Sequence, residues 1–374
     1  MKIKMYRDTW VEVDLGAIEH NVQQMKRKLS SHSHVMAVVK ADGYGHGSVQ
    51  VAKKALESGA TYIAVALLEE ALVLREAGIE APILVLNWIP PAAAVVAAEN
   101  NITVTFFQEQ WLRQVSEYHF KNKLMVHMKW DTGMGRVGIR TESELRGLVY
   151  ELNKNHHIHL TGLYTHFATA DETDVAYYEQ QNRRFEKLLH IFEQLWKEPV
   201  DIHTGNSAAS IRFPKQMYQY VRFGISMYGL YPSLEVKREK GIDLQPALSL
   251  HSRLVHVKEI AEGEAVGYGA EFKTTKSEWI GTIPIGYGDG WPRKLQGADV
   301  LIEGKRFPVV GRICMDQTMI QLDQAYPIGT KVTLIGRQED DFIEADEIAH
   351  RLDTINYEVV CMINNRVPRI YKKG

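Results

Sequence analysis

The sequence predicts an α/β protein: a TIM-type (β/α)8 barrel over residues 1–240, followed by a smaller, mainly β domain over residues 241–374. Three observations lead there. Short, near-continuous apolar runs alternate with amphipathic helix patterns, eight such runs follow the first helix, and beyond residue 240 β-like runs between glycine-rich turns take over. Parallel strands covered on both faces read as continuous apolar runs, so their alternation with helices points to a barrel. An open doubly wound sheet is the other arrangement compatible with the pattern.

The elements follow in order. After a first strand, TWVEV, Asp14 caps a helix whose apolar face is Leu15, Ile18, Val22, Met25 and Leu29, spaced by three and four. The eight runs are VMAVVK, YIAVAL, PILVLN, ITVTFF, LMVHMKW, LTGLYTHF, VDIHT and YVRFGI, most of them followed by a helix pattern such as ALVLREAG or RRFEKLLHIFEQL. PSLEVKREKGIDLQ at 232–245 breaks both periodicities and concentrates charge, so it reads as a linker. Beyond it SLHSRLVHV, WIGTIPI, FPVVGRI, TMIQL and KVTLI read as strands and EADEIAHRL as a helix.

Composition narrows the function. A chain of 374 residues, 45% hydrophobic and 24% charged with 12 prolines, is that of an ordinary globular protein larger than one typical domain. The net charge of −2 without a basic block argues against a nucleic-acid partner and for small molecules. Two cysteines, Cys314 and Cys361, are too few for a disulfide framework, and the start MKIKMYRDTWVEVDLG lacks the apolar run of a signal peptide. A cytoplasmic protein is expected. The longest wholly apolar run, AAAVVAA at 92–98, is far below the roughly 20 residues that span a bilayer, so no membrane helix is expected.

Barrel enzymes build their sites at the carboxyl ends of the strands, and here those ends are polar. They carry Lys40, Asn87, Asp131, His166, Asn206 with Ser207, and Arg222 with Gly224. Lys40 is followed by ADGYGHG, whose three glycines let a backbone approach a ligand closely, although a lone strand-end lysine is more often simply solvated. Glycines at 43, 45 and 47 miss the G-x-G-x-x-G spacing of a dinucleotide site. GNSAAS and RFGIS follow the seventh and eighth runs, where barrels commonly bind phosphate, with plain helix capping as their other reading. A strand-end lysine facing a phosphate cradle is what pyridoxal 5′-phosphate (PLP) requires, an amine for its aldehyde and an anchor for its phosphate.

KWDTGMGR brings Lys129, Asp131 and Arg136 after the fifth run. A guanidinium suits a substrate carboxylate, while a charged surface loop is the plainer reading. AVGYGAEF, IPIGYGDGWPR and RICMDQTM place Tyr268, Tyr287 and Met315 in glycine-rich turns that also read as packed hairpins. NHHIH, with His156, His157 and His159, has no carboxylate or cysteine at ligand spacing and reads as a solvated loop, so no metal site is expected.

Taken together, the motifs resemble the alanine racemase family over nearly the whole chain. AVVKADGYGHG at 37–47 is similar to that family's cofactor-lysine signature, and KWDTGMGRVG, GNSAAS, VRFGISMYG, GYG and RICMDQ follow in its order and spacing. The resemblance implies a PLP-dependent isomerase that interconverts L-alanine and D-alanine, for cell-wall or amino-acid metabolism. It implies a homodimer whose active sites are each completed by the partner's second domain. By motif, Lys40 holds PLP and is one base, and Tyr268 of the partner subunit is the opposite base. Tyr44, Ser207, Gly224, Ile225 and Tyr357 hold the phosphate, and Arg222 faces the pyridine nitrogen beside His166. Arg136 and Met315 of the partner subunit receive the substrate carboxylate, and Tyr287 lines the entrance. Lys129 matches a position that carries a carbamate in some members and supports Arg136 there. Gly205 departs from the family, which more often has alanine before Asn-Ser, and is expected to loosen the phosphate loop. Cys314 and Asp316 flank the substrate side by the same resemblance and are given no part in proton transfer.

Other functions compatible with the residues are a racemase for serine or several amino acids and a barrel-type amino-acid decarboxylase. A non-catalytic PLP-binding protein would not need a second domain bearing Tyr268. A metal-dependent barrel hydrolase is disfavoured, because no His-x-His stands at the end of an early strand.

Overall fold

In the computed structural model, which describes residues 6–373, strand β1 (Thr9–Asp14) runs directly into the helix Leu15–Lys28. The turn is made by Asp14, whose carboxylate accepts the Gly16 amide at 2.8 Å. Ile18, Val22 and Met25 of the predicted apolar face are fully buried.

The chain forms two units. One comprises Ala17–Gly43 and Ser48–Gln245; the other comprises Tyr44–Gly47 with the described residues of 1–16 and 246–374. The first is the barrel. Its strands are β2 (His34–Val38), β3 (Tyr62–Val65), β4 (Ile83–Val85), β5 (Ile102–Phe106), β6 (Leu124–Lys129), β7 (Ile158–Tyr164), β8 (Asp201–His203) and β9 (Tyr220–Phe223). They are the eight predicted runs. All pairs are parallel, in the order β8-β7-β6-β5-β4-β3-β2-β9. The barrel is nearly closed. Its seam between β8 and β9 is bridged by the Arg222 amide on the Gly205 carbonyl at 2.9 Å and the Ile202 amide on Gln219 Oε1 at 3.0 Å.

The barrel interior is less apolar than the runs suggest. Alternate strand positions send Tyr62, His127, Tyr164, His203 and Tyr220 into a packed column in which His203 stacks on Tyr164 with centroids 4.6 Å apart. Gly162 makes room for it, since a Cβ there would lie 2.6 Å from the His127 ring. Tyr62 donates to Thr103 at 3.0 Å and Thr105 meets the Tyr164 hydroxyl at 2.9 Å, so these buried hydroxyls are satisfied within the column.

The second unit is mainly β. It contains β1, β10 (Leu248–Arg253), β11 (His256–Ile260), β12 (Ala265–Val266), β13 (Phe272–Lys273), β14 (Glu278–Ile283), β15 (Asp299–Ile302), β16 (Lys305–Val310), β17 (Thr318–Leu322), β18 (Lys331–Gln338), β19 (Asp341–Ile343) and β20 (Arg369–Lys372). The main sheet runs β11-β14-β17-β16-β15-β18-β10-β1-β20, with β19 on β18. Strand β1 lies inside this sheet, antiparallel to β10 (Val11 opposite Leu250) and parallel to β20 (Val11 opposite Arg369). Its partners lie hundreds of residues away, and period-two alternation names no partner.

The stretch 232–245 is folded rather than an open linker. Ser233 Oγ caps the helix Leu234–Arg238 by accepting the Val236 amide at 3.3 Å, Val236 is fully buried, and the Asn21 side chain bonds both the amide and the carbonyl of Gln245 at 2.8 Å. The predicted C-terminal helix is present as Ala345–Leu352, and a further helix, Asn356–Met362, carries Tyr357. Among the described residues no helix is long and apolar enough to cross a membrane.

Candidate active site

Lys40 stands half-buried just beyond β2 and is followed by an unusual backbone. Ala41, Asp42, Gly43 and Tyr44 all have φ between 50° and 62°, a full left-handed turn in which three residues carry a Cβ. Each such residue costs roughly 1–2 kcal/mol relative to right-handed backbone. The turn is held by side chains: Glu70 accepts the Ala41 amide at 2.6 Å and Asp42 accepts the Ser48 amide at 2.9 Å. The Gly43 amide reaches the Val39 carbonyl at 2.9 Å.

The glycines of this motif serve the protein itself. A Cβ on Gly43 would lie 3.2 Å from the Ser48 backbone, one on Gly45 would collide with the Val360 carbonyl, and one on Gly47 with the Tyr371 hydroxyl. The close approach read from these glycines is therefore to other segments of the chain. Within the second unit, Arg369 donates to the Gly45 carbonyl at 3.0 Å, and the Tyr44 and Tyr357 rings lie 6.3 Å apart.

Arg222, at the end of β9, is the most fully bonded cation in the barrel unit. It donates to the carbonyls of Thr165 (2.7 Å), His203 (2.7 Å) and Thr204 (2.9 Å), to His203 Nδ1 at 2.8 Å and to His166 Nδ1 at 3.3 Å. Burial pushes its guanidinium down to about 10, which still leaves it charged at neutral pH. Burial and the cations Arg222, Lys129, Arg136 and Lys40 hold the His166 imidazole well below its ordinary value, so it is neutral. These cations converge on one spot.

Lys129 ends β6 almost completely buried, its Nζ 4.5 Å from the centre of the Tyr164 ring. Burial, then Arg222 and Arg136, push its ammonium down to about 7, so a neutral amine is accessible near neutral pH. The loop after it is built on Asp131, whose buried carboxylate accepts the amides of Gly133 (3.0 Å) and Gly135 (2.9 Å) and so presents Arg136 in the exposed turn. Arg136 thus rides on a defined loop.

Asn206 caps the helix Ser207–Arg212 by accepting the Ala209 amide at 2.9 Å, as read from the sequence. Ser207 Oγ accepts the Gly224 amide at 3.1 Å, which joins the loops after β8 and β9 and directs the serine's own proton elsewhere. Thr204 Oγ1 and Ser226 Oγ, on the same two loops, are buried without a protein partner, leaving hydrogen-bonding capacity there for a polar group. Gly205 does not loosen this region. A Cβ there would run into Met217 Sδ and lie 2.8 Å from Ser210 Oγ, so Met217, itself buried, fills the space an alanine would take.

In the second unit Tyr268 is 68% exposed on a turn in which Gly267 and Gly269 have φ of 78° and 75°. The turn is clamped: Arg312 lies against Gly269 and pairs with Glu271, beside a small core of Ile260, Val266, Ile280 and Val310. Tyr287 and Met315 are drawn together by backbone bonds, from the Tyr287 amide to the Cys314 carbonyl (3.1 Å) and from the Gly288 amide to the Met315 carbonyl (2.9 Å). Both side chains are about half exposed.

The barrel unit thus gathers Lys40, Lys129, His166, Arg136 and Arg222, and joins Ser207 to Gly224 with Ile225 next in chain. The second unit gathers Tyr44 with Tyr357, and Tyr287 with Met315. The donor set fits PLP: an amine for the aldehyde, a charged arginine, clustered cations for an anion, and spare hydroxyls on the phosphate-type loops. Sequence reading missed Glu70 and His203. A glutamate three residues after the start of a helix is a visible capping signal, and the alternation in DIHT marks His203 as facing inward. Among the described residues no group of three or more His, Cys, Asp or Glu side chains is placed to hold a metal ion.

Known proteins match the chain along its length. Residues 13–232 match the family described as "Alanine racemase, N-terminal domain" and residues 247–371 the one described as "Alanine racemase, C-terminal domain". The chain is 54% identical over 367 residues to the alanine racemase of Geobacillus stearothermophilus, covering 98% of this chain and 94% of that one. It is 51% identical over 366 residues to alanine racemase 1 of Bacillus subtilis, covering 98% and 93%. The crystal structure of alanine racemase from Bacillus anthracis with bound L-Ala-P superimposes with a TM-score of 0.97 at 48% identity, covering 99% and 96%. The chain belongs to the alanine racemase family of PLP-dependent isomerases.

Proposed function

We propose that this chain interconverts L- and D-alanine by a two-base mechanism, with Lys40 on one face of the substrate and Tyr268 of the partner subunit on the other, in a homodimer that shares its active sites. The observation that carries the reading is Tyr268 itself: a large aromatic, 68% exposed, fixed on a clamped glycine turn rather than packed. The clamp holds the ring at the surface on a fixed turn, where it is available to a partner subunit. Inversion requires a proton to leave one face and another to arrive on the opposite face, so two groups on opposite sides are needed. The Lys40 Nζ and the Tyr268 Oη each alternate between holding and giving up a proton, and one turnover exchanges their protonation states.

The barrel unit supplies most of the cofactor side, and the mainly β unit supplies Tyr44 and Tyr357 to it and Tyr268, Met315 and Tyr287 to the partner's site. PLP, when bound, supplies the electron sink that makes the α-carbon acidic. Tyr44, Ser207, Gly224, Ile225 and Tyr357 hold its phosphate. Arg222 faces its ring nitrogen with neutral His166 beside it. Its terminal N–H groups are committed to His203 and three carbonyls, and as a guanidinium Arg222 keeps its proton, which restrains competing chemistry such as transamination. Arg136 and Met315 of the partner subunit receive the carboxylate, and Tyr287 lines the entrance. The Lys129 amine, neutral above about pH 7, adds to CO2 and releases a proton to solvent, and the resulting carbamate anion supports Arg136. The role is supply or consumption of D-alanine in the cytoplasm, for cell-wall or amino-acid metabolism.

The test is incubation of the purified protein with L-alanine in D2O, following α-deuteration and the D enantiomer together. Both are expected. Release of CO2 would make it a decarboxylase, and absence of both products would sink the racemase reading. Serine run alongside sets the breadth of specificity.

A further inference from the structure

We propose that Glu70 is a positioning residue for Lys40, locking the left-handed turn that aims the lysine; this rests on Lys40 being the PLP lysine. Glu70 belongs to a different loop, in the first turn of the helix Leu68–Glu76 after β3. Its Oε2 accepts the amides of Ala66 and Leu67 at 2.8 and 3.1 Å, the ordinary reach of a capping glutamate back to its own helix start. Its Oε1 does something capping does not require. It accepts the Ala41 amide at 2.6 Å, the first N–H after Lys40.

The consequence follows from the backbone. Ala41 and Asp42 sit at φ 51° and 50°, where residues with a Cβ stay only if the surroundings hold them. Asp42 on Ser48 and Gly43 on Val39 hold the far part of the turn, whereas Glu70 acts on the peptide that leaves Lys40 itself. If that amide loses its acceptor, the near part of the turn relaxes toward ordinary backbone and the Cα–Cβ direction of Lys40 swings with it. Glu70 is half-buried and ties two adjacent barrel loops into one rigid support, so it acts through Lys40 without touching the substrate.

Glu70→Gln separates the two arms. A glutamine has a single oxygen, and the arm with two amides claims it, so the NH2 group confronts the Ala41 N–H and that bond is lost while the helix cap persists. Glu70→Ala loses both arms. Three quantities are read: hydrogen exchange of the segment 37–47 in the cofactor-free chain, the PLP concentration that half-saturates the lysine-bound cofactor absorption, and the melting temperature of the cofactor-free chain. Glu70→Gln is expected to lose exchange protection around residues 40–44 and to need at least about tenfold more PLP at an unchanged melting temperature. Glu70→Ala is expected to show the same losses and to melt lower. Wild-type exchange protection or wild-type PLP binding in Glu70→Gln overturns the proposal and leaves Glu70 a helix cap. A Lys40→Ala control keeps the two readings apart: persistence of the lysine-bound absorption there would refute Lys40 as the anchor, whereas the exchange measurement tests Glu70 without any cofactor.

Discussion

The Arg222 guanidinium donates to Nδ1 of His203 at 2.8 Å, and this one bond sets the tautomers of two buried imidazoles. Arginine has no acceptor, so His203 Nδ1 must be unprotonated and His203 Nε2 must carry the hydrogen, which it donates to His127 Nδ1 at 2.9 Å. Burial holds both rings well below the ordinary histidine range, with His127 at about 3, so the chain stays neutral across physiological pH. Replacing His203 by Ala removes one acceptor from a buried guanidinium and opens a gap beside Tyr164. The variant is expected to lose about 2–4 kcal/mol of stability in urea unfolding and to turn over more slowly. Wild-type stability and rate together would show that Arg222 needs only its three carbonyls.

Lys129 makes stability depend on pH. Its folded value of about 7 lies below the ordinary 10.5, so between those values the unfolded chain binds a proton that the folded chain does not. Stability is then lost as pH falls from 10.5 toward 7 and changes no further from this source below that. In CO2-depleted buffer, the unfolding free energy of the wild type should rise from pH 7 to pH 9 by about 1 kcal/mol per unit more than that of Lys129→Met. Parallel profiles would place the lysine in a wetter site. With 13C-labelled bicarbonate added, a carbamate carbon signal is expected in the wild type and not in Lys129→Met.

Asp131 should act on substrate affinity rather than on the chemical step. It braces the loop of Arg136 through the Gly133 and Gly135 amides, so Asp131→Ala should raise KM for alanine about tenfold while kcat changes by less than about threefold. Steady-state kinetics decide it. An unchanged KM would detach Arg136 from the carboxylate.

Gly205 and Met217 should be coupled. Gly205→Ala forces Met217 aside and is expected to cost about 1–3 kcal/mol in urea unfolding. Most of that loss should vanish when Met217→Ala is present in the same chain, because the methyl then has a space to occupy. Additive losses would contradict the packing explanation for this departure from the family.

The barrel was readable because its strands are separated by helices and its chemistry sits at strand ends, which is where Lys40, His166, Ser207 and Arg222 stand. What resisted reading depends on distant partners. Strand β1 looks like the start of the barrel, yet it pairs with strands centred on Leu250 and Ile370. The glycines after Lys40 suggest a ligand but accommodate Ser48, Val360 and Tyr371. His127 and His203 sit in apolar-looking runs, and only closure of the sheet sets His203 against Arg222 and His127 against His203. Glu70 looks like any capping glutamate until a second loop is laid against it.

The most direct test of the two-base account is Tyr268→Phe in D2O, started separately from L-alanine and from D-alanine. With Lys40 as the remaining base, one enantiomer should still exchange its α-proton for deuterium without inverting, the other should not exchange, and racemisation should fall by about 100-fold or more. Racemisation at the wild-type rate in both directions would contradict the assignment of Tyr268 as the second base.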